Sequence, residues 1–420
     1  MVSLASPSVT VRRDGSSNIK YVYITAFVGC IILWITVYKT PISFVNPSMK
    51  NIENPTSPAQ QHVPSSNNNS NMDHTTAAGA NICTSETFSD GKWVHDPVQL
   101  EEPFSGADIA RVAGYHCIKK FAHRCFRRGG DEVLRAKRIM DYRWQPNQCQ
   151  LLEFNTKKLA EHFVDHPVLF VGDSITQLQF ESLGCLLGEH FPNRHPAKSD
   201  LNGGNTKIRV NEKAPENRDT AAMAYIRSDY LLRLDDFKVI GPFESVGSQL
   251  GRGENYPWVH ALSKFDYIII NTGPHWHPNL QWGPNANEQE LLDAFKTAMT
   301  SVISYLDQHV KPHQKVWIRT TPYGHVQCSQ YKEPQENPLA PSGKTGEYEW
   351  HLFHEFDNIW KELLHNQDDR FALFDIADMS NKRGDAHSKP DADCLHTCIP
   401  GPVDEWNRLL YNEIMRQKKY

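Results

Sequence analysis

The stretch Pro167-Val168-Leu169-Phe170-Val171-Gly172-Asp173-Ser174 is the one around which the chain is organised. An apolar, β-prone run ends abruptly in Gly-Asp-Ser, and residues 175–190 follow with leucines at a roughly helical spacing. This pattern predicts a strand, a tight turn and a helix. The turn would place Ser174 at the carboxyl edge of a sheet and at a helix N-terminus, where free N–H groups favour a developing negative charge. Ser174 is therefore a candidate nucleophile, provided that a base reaches it.

The composition is that of an ordinary globular protein. The chain has 420 residues, of which 39% are hydrophobic and 22% are charged, which is enough for one large domain or two. The formal net charge is −5 and there is no long basic block. Nucleic acid is therefore not the indicated partner.

Residues 21–38 contain no charged side chain and are long enough for a short membrane span. Tyrosines stand at both ends, and Arg12, Arg13 and Lys20 precede the run, so the positive-inside rule places residues 1–20 in the cytosol. A cleaved signal peptide is the alternative, but the run exceeds the usual apolar core of ~7–15 residues and no small-residue cleavage site follows. We expect a single-pass type II anchor with the rest of the chain in a lumen.

Residues 39–82 are rich in Pro, Ser and Asn and have almost no periodic apolar residue. This composition predicts a disordered stem that holds the remaining chain off the membrane. The stem contains one N-glycosylation sequon, Asn68-Asn69-Ser70, so the protein is expected to be a glycoprotein.

Cysteine usage agrees with a lumenal location. Of the nine cysteines, Cys30 lies in the predicted span and eight follow the stem. An even number in an oxidising compartment predicts four disulfides. A zinc site at Cys394, His396 and Cys398 is the competing interpretation, but no second Cys-x-x-Cys pair accompanies them.

The chain after the stem falls into two parts. Residues 83–165 carry cysteines and aromatic residues without strong periodicity, and we expect irregular structure wrapped on the main domain. Within residues 166–420, short apolar runs predict buried parallel strands, and residues 222–232 predict a more polar, edge-like strand. Amphipathic helices are predicted between them. The predicted strands are 167–171, 266–271, 315–320 and 370–376, and the predicted helices are 288–309, 350–365 and 403–415.

This alternation predicts an α/β fold with a doubly wound parallel sheet. In such sheets the site lies at the carboxyl ends of the strands, where Ser174, Asn271 and Thr320 fall. Two long polar loops, residues 195–220 and 241–260, are expected to form the rims of a cleft.

Asp393 and His396 are three residues apart near the C-terminus. In a single turn this spacing can aim the carboxylate at one imidazole nitrogen and leave the other nitrogen facing Ser174. A surface histidine is the alternative, in a chain with 20 histidines. Cys394 and Cys398 would hold the loop in place if they were disulfide-bonded.

Gly172-Asp173-Ser174 with a downstream Asp-x-x-His resembles the PC-esterase domain of the trichome birefringence-like family, the polysaccharide O-acetyltransferases of the SGNH hydrolase type. The resemblance covers about residues 83 to 415 and includes segments in the family's order. These segments are Gly91-Lys92-Trp93-Val94, Tyr142-Arg143-Trp144-Gln145-Pro146, Phe180-Glu181-Ser182-Leu183, Ile270-Asn271-Thr272-Gly273, Arg319-Thr320-Thr321-Pro322, Arg383-Gly384-Asp385-Ala386-His387 and Asp404-Glu405-Trp406-Asn407.

The resemblance implies a role for each site residue. Ser174 is the nucleophile, His396 the base and Asp393 the residue that orients it. Asn271 matches the oxyanion-hole asparagine and would act with the Ser174 backbone N–H, each donor being worth ~3–4 kcal/mol; a helix-cap or turn residue is the alternative for Asn271. The resemblance also implies the disulfides Cys83–Cys149, Cys117–Cys185, Cys125–Cys398 and Cys328–Cys394.

The chain departs from the family pattern at two places. The family's Leu-x-Arg-Asn-Gln after the nucleophile is replaced by residues 175–179, and Pro274 moves His275 by one position. The acceptor preference therefore does not transfer. Candidate substrate contacts are His275, Trp276 and Arg319, where Arg319 is either a substrate clamp or a structural arginine paired with an acid such as Asp173. Trp258, Trp276 and Trp282 would either stack on sugar rings or belong to the core.

Together these features predict a lumenal O-acetyltransferase of the Golgi membrane that acetylates a polysaccharide through a Ser174 acyl-enzyme. No bound cofactor or metal is predicted. The acetyl group would derive from acetyl-CoA through an unknown immediate donor. Because one span offers no polar path across the bilayer, a separate multi-spanning protein is expected to deliver it. The alternatives are an acetylesterase with the same triad and a non-catalytic glycan-binding protein.

Overall fold

The computed structural model describes residues 81–117, 120–190, 206–210, 221–232, 234–235, 238–239, 258–278, 282–341 and 348–417. The chain divides into two units, residues 1–74 and 75–420, and every described residue belongs to the second. The predicted anchor, nearly all of the stem and most of the two polar loops lie outside the described residues. None of the helices within the described ranges is long and apolar enough to cross a membrane.

The described ranges contain both α-helices and β-strands. In order they are β1 (Gly91–His95), α1 (Gly106–Val112), α2 (Asp131–Met140), β2 (Tyr142–Pro146), α3 (Thr156–Asp165), β3 (Val168–Gly172), α4 (Ser174–Leu186), β4 (Thr206–Val210), β5 (Ala221–Arg227), β6 (Leu234–Asp235), β7 (Lys238–Val239), β8 (Tyr267–Ile270), α5 (Glu288–His309), β9 (Lys315–Arg319), α6 (Phe353–Leu364), β10 (Phe371–Phe374), α7 (Ala377–Asn381), β11 (His387–Lys389), β12 (Asp393–Thr397) and α8 (Pro402–Arg416).

The central sheet has the strand order β10-β9-β8-β3-β5-β4. The first five strands are parallel, and β4 joins β5 in the antiparallel direction. The parallel strands, numbered along the chain, therefore lie in the order 2-1-3-4-5, which is a doubly wound arrangement. Its switch point falls between β3 and β8. The ends of these two strands carry the Gly-Asp-Ser turn and Asn271.

One strand prediction is wrong. The stretch 222–232 was expected at the edge, but β5 lies inside the sheet between β3 and β4. Residues 222–226 are all buried, and the polar residues that suggested an edge follow the end of the strand. The edge is formed by β4, in a stretch that was expected to be a polar loop.

The amphipathic helices lie close to their predicted ranges. Helix α5 begins and ends at the predicted residues, and its apolar stripe is buried. Helix α4 packs against α8, and α5 packs against α6. Asn407 of α8 donates to the hydroxyl of Ser182 on α4 at 2.9 Å. The helix that carries Ser174 is thereby fixed to the last helix of the chain.

Residues 83–165 are more regular than the sequence predicted. The described part of this range contains three α-helices, a short 3-10 helix and the antiparallel pair of β1 and β2. This cysteine-rich block docks on the main domain through Trp93, whose Nε1 donates to the Met379 carbonyl at 2.8 Å. The buried guanidinium of Arg383 lies 4.4 Å from the centre of the Trp93 ring.

Four disulfides are present. They join the pairs that the resemblance implied, Cys83–Cys149, Cys117–Cys185, Cys125–Cys398 and Cys328–Cys394. Because the sulfur atoms of Cys394 and Cys398 are both in disulfides, the zinc interpretation of this segment is wrong. Two of the four bonds connect residues 117 and 125 of the block to distant parts of the chain.

Candidate active site

The Gly-Asp-Ser turn, residues 172–174, connects β3 to α4. Gly172 has a φ of +152°, and a Cβ at this position would lie 2.4 Å from both the Asn271 carbonyl oxygen and the Thr176 hydroxyl. Only glycine therefore fits there. Asp173 caps the helix, since its Oδ1 accepts the backbone N–H of Ile175 at 2.8 Å. Ser174 follows as the first helical residue and is half-buried.

A tyrosine braces this turn from the neighbouring strand. The Tyr225 hydroxyl lies 3.1 Å from the Gly172 carbonyl and 2.9 Å from the Asp173 carbonyl. Burial raises the pKa of Tyr225 well above its ordinary value, so the phenol stays protonated and donates. The backbone N–H of Ser228 also donates to the Gly172 carbonyl at 3.0 Å. Sequence reasoning did not identify Tyr225, because a tyrosine in a strand is indistinguishable from ordinary core.

His396 lies between Ser174 and Asp393. Its Nε2 is 2.8 Å from Ser174 Oγ, and its Nδ1 is 2.9 Å from Asp393 Oδ2. The sequence predicted that Asp393 and His396 share a single turn, but both residues lie on β12, which pairs with β11. The Asp393 carboxylate also accepts the backbone N–H groups of Leu395 and His396 at 3.1 Å, which fixes the carboxylate on the chain that carries the imidazole.

The protonation states follow from these contacts. Burial would raise the pKa of Asp393, but the hydrogen bonds from the His396 ring and from the two backbone N–H groups outweigh burial and hold it below its ordinary value. An ionised carboxylate only accepts hydrogen bonds, so the proton of the neutral imidazole lies on Nδ1. The unprotonated Nε2 then accepts a hydrogen bond from the Ser174 hydroxyl.

The histidine hairpin, residues 387–397 with strands β11 and β12, is held at both ends of β12. Cys394 is bonded to Cys328 and Cys398 to Cys125. The backbone N–H of His325 donates to the Cys394 carbonyl at 2.9 Å. The sequence argument that disulfides would hold this loop in place is therefore matched by the structure.

His123 of the cysteine-rich block is a site residue that sequence reasoning missed. Its ring stacks on that of His396, with 4.7 Å between the centres and 21° between the planes. A signal was present, since His123 precedes Cys125 by two residues, as His396 precedes Cys398. The implied Cys125–Cys398 bond therefore brings the two histidines together.

Asn271 is fully buried, and its side-chain amide donates hydrogen bonds to two neighbours. Its Nδ2 donates to the Arg319 carbonyl at 2.9 Å and to the Thr321 hydroxyl at 2.7 Å, so both amide hydrogens have acceptors. The oxyanion role predicted for Asn271 stays a prediction, because it would require the amide to release one of these partners.

Arg319 is also fully buried, which contradicts its candidate role as a substrate clamp. Its guanidinium donates to the Ile175 carbonyl, to the Thr176 hydroxyl and to Gln179 at 3.2–3.3 Å. Burial lowers its pKa to about 10, so it keeps its charge at neutral pH. The structural alternative for Arg319 fits these contacts: it connects strand β9 to the first turns of α4. Among its described contacts there is no ion pair with Asp173, the partner that had been suggested.

Trp258 and Trp276 belong to the core, and Trp276 is fully buried. The Trp276 ring stacks on Trp282 at 4.7 Å. Trp276 is therefore wrong as a substrate contact. His275 retains some exposure and lies beside the ion pair of Arg227 and Asp229, with its Nε2 at 3.4 Å from Arg227 and 3.7 Å from Asp229. Of the three proposed substrate contacts, His275 alone reaches the surface.

One group among the described residues brings three potential metal-ligand atoms within 4.8 Å of one another. It consists of Glu288, Glu349 and His351, and it shares no residue with the Ser174 group. The His351 Nε2 is already 2.7 Å from a Glu288 carboxylate oxygen. This group bears on none of the chemistry at Ser174.

A parallel α/β sheet whose switch point carries a Gly-Asp-Ser turn, with an Asp-x-x-His pair hydrogen-bonded to the serine, is consistent with an SGNH-like fold. The chain belongs to the PC-Esterase family, a GDSL/SGNH-like acyl-esterase family found in Pmr5 and Cas1p, whose model matches residues 151–413. The resemblance predicted from the sequence is thereby confirmed, and the family points to an acyl-transfer or esterase enzyme.

The chain is also distantly similar to trichome birefringence-like proteins of Arabidopsis thaliana over most of its length. It is 25% identical to trichome birefringence-like 42 over 346 residues, which cover 77% of this chain and 88% of that protein. It is 24% identical to trichome birefringence-like 13, with 77% and 82% covered. With trichome birefringence-like 25 the identity is 24%, with 82% and 80% covered.

Proposed function

We propose that this protein is an O-acetyltransferase that carries an acetyl group on Ser174 and passes it to a hydroxyl group of a polysaccharide. The observation that carries the proposal is the continuous hydrogen-bond chain from Ser174 through His396 to Asp393. In that chain the base lies within direct reach of the nucleophile, and the carboxylate fixes the tautomer of the base.

The first step forms an ester bond between Ser174 Oγ and the acetyl carbonyl carbon. His396 Nε2 takes the hydroxyl proton as Oγ attacks, and the resulting imidazolium lies against the ionised Asp393. The tetrahedral intermediate then collapses, the bond to the donor's leaving group breaks, and His396 returns the proton to that group. The products are acetyl-Ser174 and the free leaving group.

The negative charge of the intermediate develops near the N-terminus of α4. The backbone N–H of Ser174 lies in the first turn of this 13-residue helix, where the helix dipole favours an oxyanion. Asn271 would supply a second donor only if its amide released Arg319 or Thr321. The Ser174 N–H is therefore the donor on which the proposal relies.

The second step repeats the chemistry with a sugar hydroxyl. His396 removes the proton of the acceptor hydroxyl, the acceptor oxygen attacks acetyl-Ser174, and the serine leaves with the proton. Water in place of the sugar would make the protein an acetylesterase. The description of the family as acyl-esterases favours keeping this second candidate.

The compartment and the donor belong to the same proposal. Residues 21–38 would anchor the chain as a type II protein of the Golgi membrane, with Ser174 in the lumen. A separate multi-spanning membrane protein would deliver the acetyl group, because a single span offers no path for it. The uncharged run of 21–38 and the eight cysteines after it support this arrangement.

The test is acetylation of the full chain in detergent with p-nitrophenyl acetate, followed by mass spectrometry. We expect one acetyl group on the peptide that contains Ser174, and its transfer to a polysaccharide when a panel of glycans is added. Ser174→Ala should abolish both signals, whereas Ser329→Ala, a control at an exposed serine, should change neither. Acetate release without glycan acetylation would favour the esterase, and an unlabelled Ser174 would contradict both candidates.

A further inference from the structure

One face of the His396 ring is covered by the ring of another residue. Ser174 and Asp393 hold the ring at its two nitrogens, in the plane of the ring. Two such contacts leave the ring free to tilt about the line that joins the nitrogens. The ring of His123, stacked at 4.7 Å and 21°, restricts that tilt.

His123 is itself held at three points. Its Nδ1 lies 2.7 Å from the hydroxyl of the buried Ser388, on the β11 strand of the histidine hairpin. Its carbonyl accepts the backbone N–H of Ile399 at 2.9 Å, and the Cys125–Cys398 disulfide follows two residues later. The stacked rings therefore form a contact between the cysteine-rich block and the hairpin that hydrogen bonds and a disulfide hold in place.

The charges around the stack decide what the contact does. Burial, together with the neighbouring His396, Lys389 and Arg128, lowers the pKa of His123 to about 4 against the opposing effect of Asp393. His123 is therefore neutral at the pH of a lumen. A neutral aromatic face thus lies against a ring that becomes a cation during acyl transfer, and such a contact attracts the cation.

We propose that His123 is a positioning residue for His396: its neutral ring fixes the plane of the imidazole and stabilises the imidazolium that forms when Ser174 is acylated. The inference rests on the proposed function, because it assigns His123 to the base of that reaction. It also gives the cysteine-rich block a part in the chemistry, although His123 lies outside the residues 151–413 that match the family model.

The groups that face His396 set the pH dependence to be tested. Asp393 is bonded to its Nδ1, His123 covers its face, and His387 on β11 is near enough to be affected by its charge. Lys389 and Arg128 act on His123. Of these groups, the test changes His123 alone.

The experiment compares His123→Phe with His123→Leu in the full chain. Phenylalanine keeps a flat, uncharged ring, whereas leucine keeps apolar bulk without a ring. The burst rate of Ser174 acylation by p-nitrophenyl acetate should stay within about fivefold of wild type for Phe, which also loses the bond to Ser388, and fall about fivefold to thirtyfold for Leu. Because the leucine variant loses stabilisation of the imidazolium, the acidic limb of its pH profile should move to lower pH by about 0.5–1.5 units.

The outcomes separate the two hypotheses. If wild type acylates Ser174 and the leucine variant matches it in rate and pH profile, the inference fails while the proposed function stands. Equal losses in Phe and Leu with an unchanged acidic limb would also overturn it, since they indicate a packing role alone. If wild type does not acylate Ser174, the proposed function itself fails.

A second variant keeps the test open if the leucine variant does not fold. Ser388→Ala removes the hydrogen bond to Nδ1 but leaves both rings in the chain. We expect a smaller loss, about twofold to fivefold in the burst rate, with the acidic limb moved in the same direction. An unchanged rate and limb in a folded Ser388→Ala protein would overturn the inference.

Discussion

Ser174 and His396 lie 2.8 Å apart, yet two different kinds of structure hold them. Ser174 follows a strand that is hydrogen-bonded to a parallel neighbour on each side, and every residue of that strand is buried. His396 lies on a hairpin of three- and five-residue strands, whose register shifts between its two paired positions. An isolated two-stranded ribbon is marginally stable in water.

This contrast between a buried strand and a short hairpin predicts which substitutions will disturb the site. Ser174 depends on close packing within the sheet, whereas His396 depends on covalent bonds and on a buried histidine cluster, His325 and His387, at the first residue of the hairpin. Disturbing the packing at the turn should damage the sheet itself. Disturbing the bonds or the protonation of the cluster should move His396 and leave the sheet folded.

The largest effect is expected for Gly172→Ala. The new Cβ would lie 2.4 Å from a backbone oxygen and from the Thr176 hydroxyl, at a φ that side chains rarely adopt. We expect a loss of more than about 3 kcal/mol in the free energy of unfolding, measured by urea denaturation, together with loss of Ser174 acylation.

Gly114→Ala is the matched control. Gly114 has a φ of +68°, but a Cβ there would meet nothing within 4 Å. Its cost should be about 1 kcal/mol, with acylation retained. Equal losses in the two variants would show that backbone strain, and not the close approach at the turn, accounts for the effect at Gly172.

An intermediate effect is expected when the Cys125–Cys398 bond is replaced by two serines. This bond joins the cysteine-rich block to Cys398, the residue directly after the hairpin. We expect the acylation rate to fall by more than about tenfold, because His396 and His123 lose their common anchor, while far-ultraviolet circular dichroism remains close to that of wild type.

The control replaces Cys83 and Cys149, a pair that contains no hairpin residue. Its stability should also fall, by about 2–5 kcal/mol, but acylation per folded molecule should be preserved. If the two double variants lost activity equally, the hairpin would not depend specifically on its own disulfide.

The smallest effect is expected on acidification. The His325 Nε2 faces the Asn381 carbonyl at 3.0 Å and therefore carries the proton, so its Nδ1 accepts from His387 Nε2 at 2.5 Å. Burial lowers the pKa of His325 to about 4, against the raising effects of the Asn381 carbonyl and Asp385. Burial likewise lowers the pKa of His387, the first residue of the hairpin.

The direction of the pH effect on stability follows from the unfolded chain, in which the pKa of histidine is ~6.5. Below that pH the unfolded state binds more protons, so stability falls as the pH drops from about 6.5 toward 4. For His325 the loss between pH 7 and pH 5 should be about 2 kcal/mol. Urea denaturation at the two pH values measures it. His325→Gln should reduce this dependence, whereas His313→Gln, at an exposed histidine, should not.

Much of the fold was readable from the sequence, because buried parallel strands appear as short apolar runs bounded by polar residues. The runs that became β3, β8, β9 and β10 illustrate this. The grouping of Ser174, Asp393 and His396 was readable because these residue types at this spacing are typical of a Ser-His-Asp arrangement, although Asp393 and His396 lie on a strand and not in the predicted turn. The disulfide pairs came from the family resemblance and not from spacing.

The rest depended on tertiary contacts that no local pattern reports. Strand β4 is polar, so its sequence resembled that of a loop. Its antiparallel pairing with β5 is a tertiary contact. Arg319 was a charged residue at the end of a buried strand, and only its contacts with α4 show why it is there. His123 carried no motif of its own, and its role depends on a bond between cysteines that are 273 residues apart.

The Cys125–Cys398 bond also joins a residue outside the family match to a residue inside it. A fragment that began at residue 151, where the family match begins, would contain Cys185 and Cys398 without their partners and would lack His123. We therefore do not expect the region that contains Ser174, Asp393 and His396 to fold and function when it is expressed alone. When two relatives are recombined, we expect the cysteine-rich block and the histidine hairpin to work only if both come from the same parent.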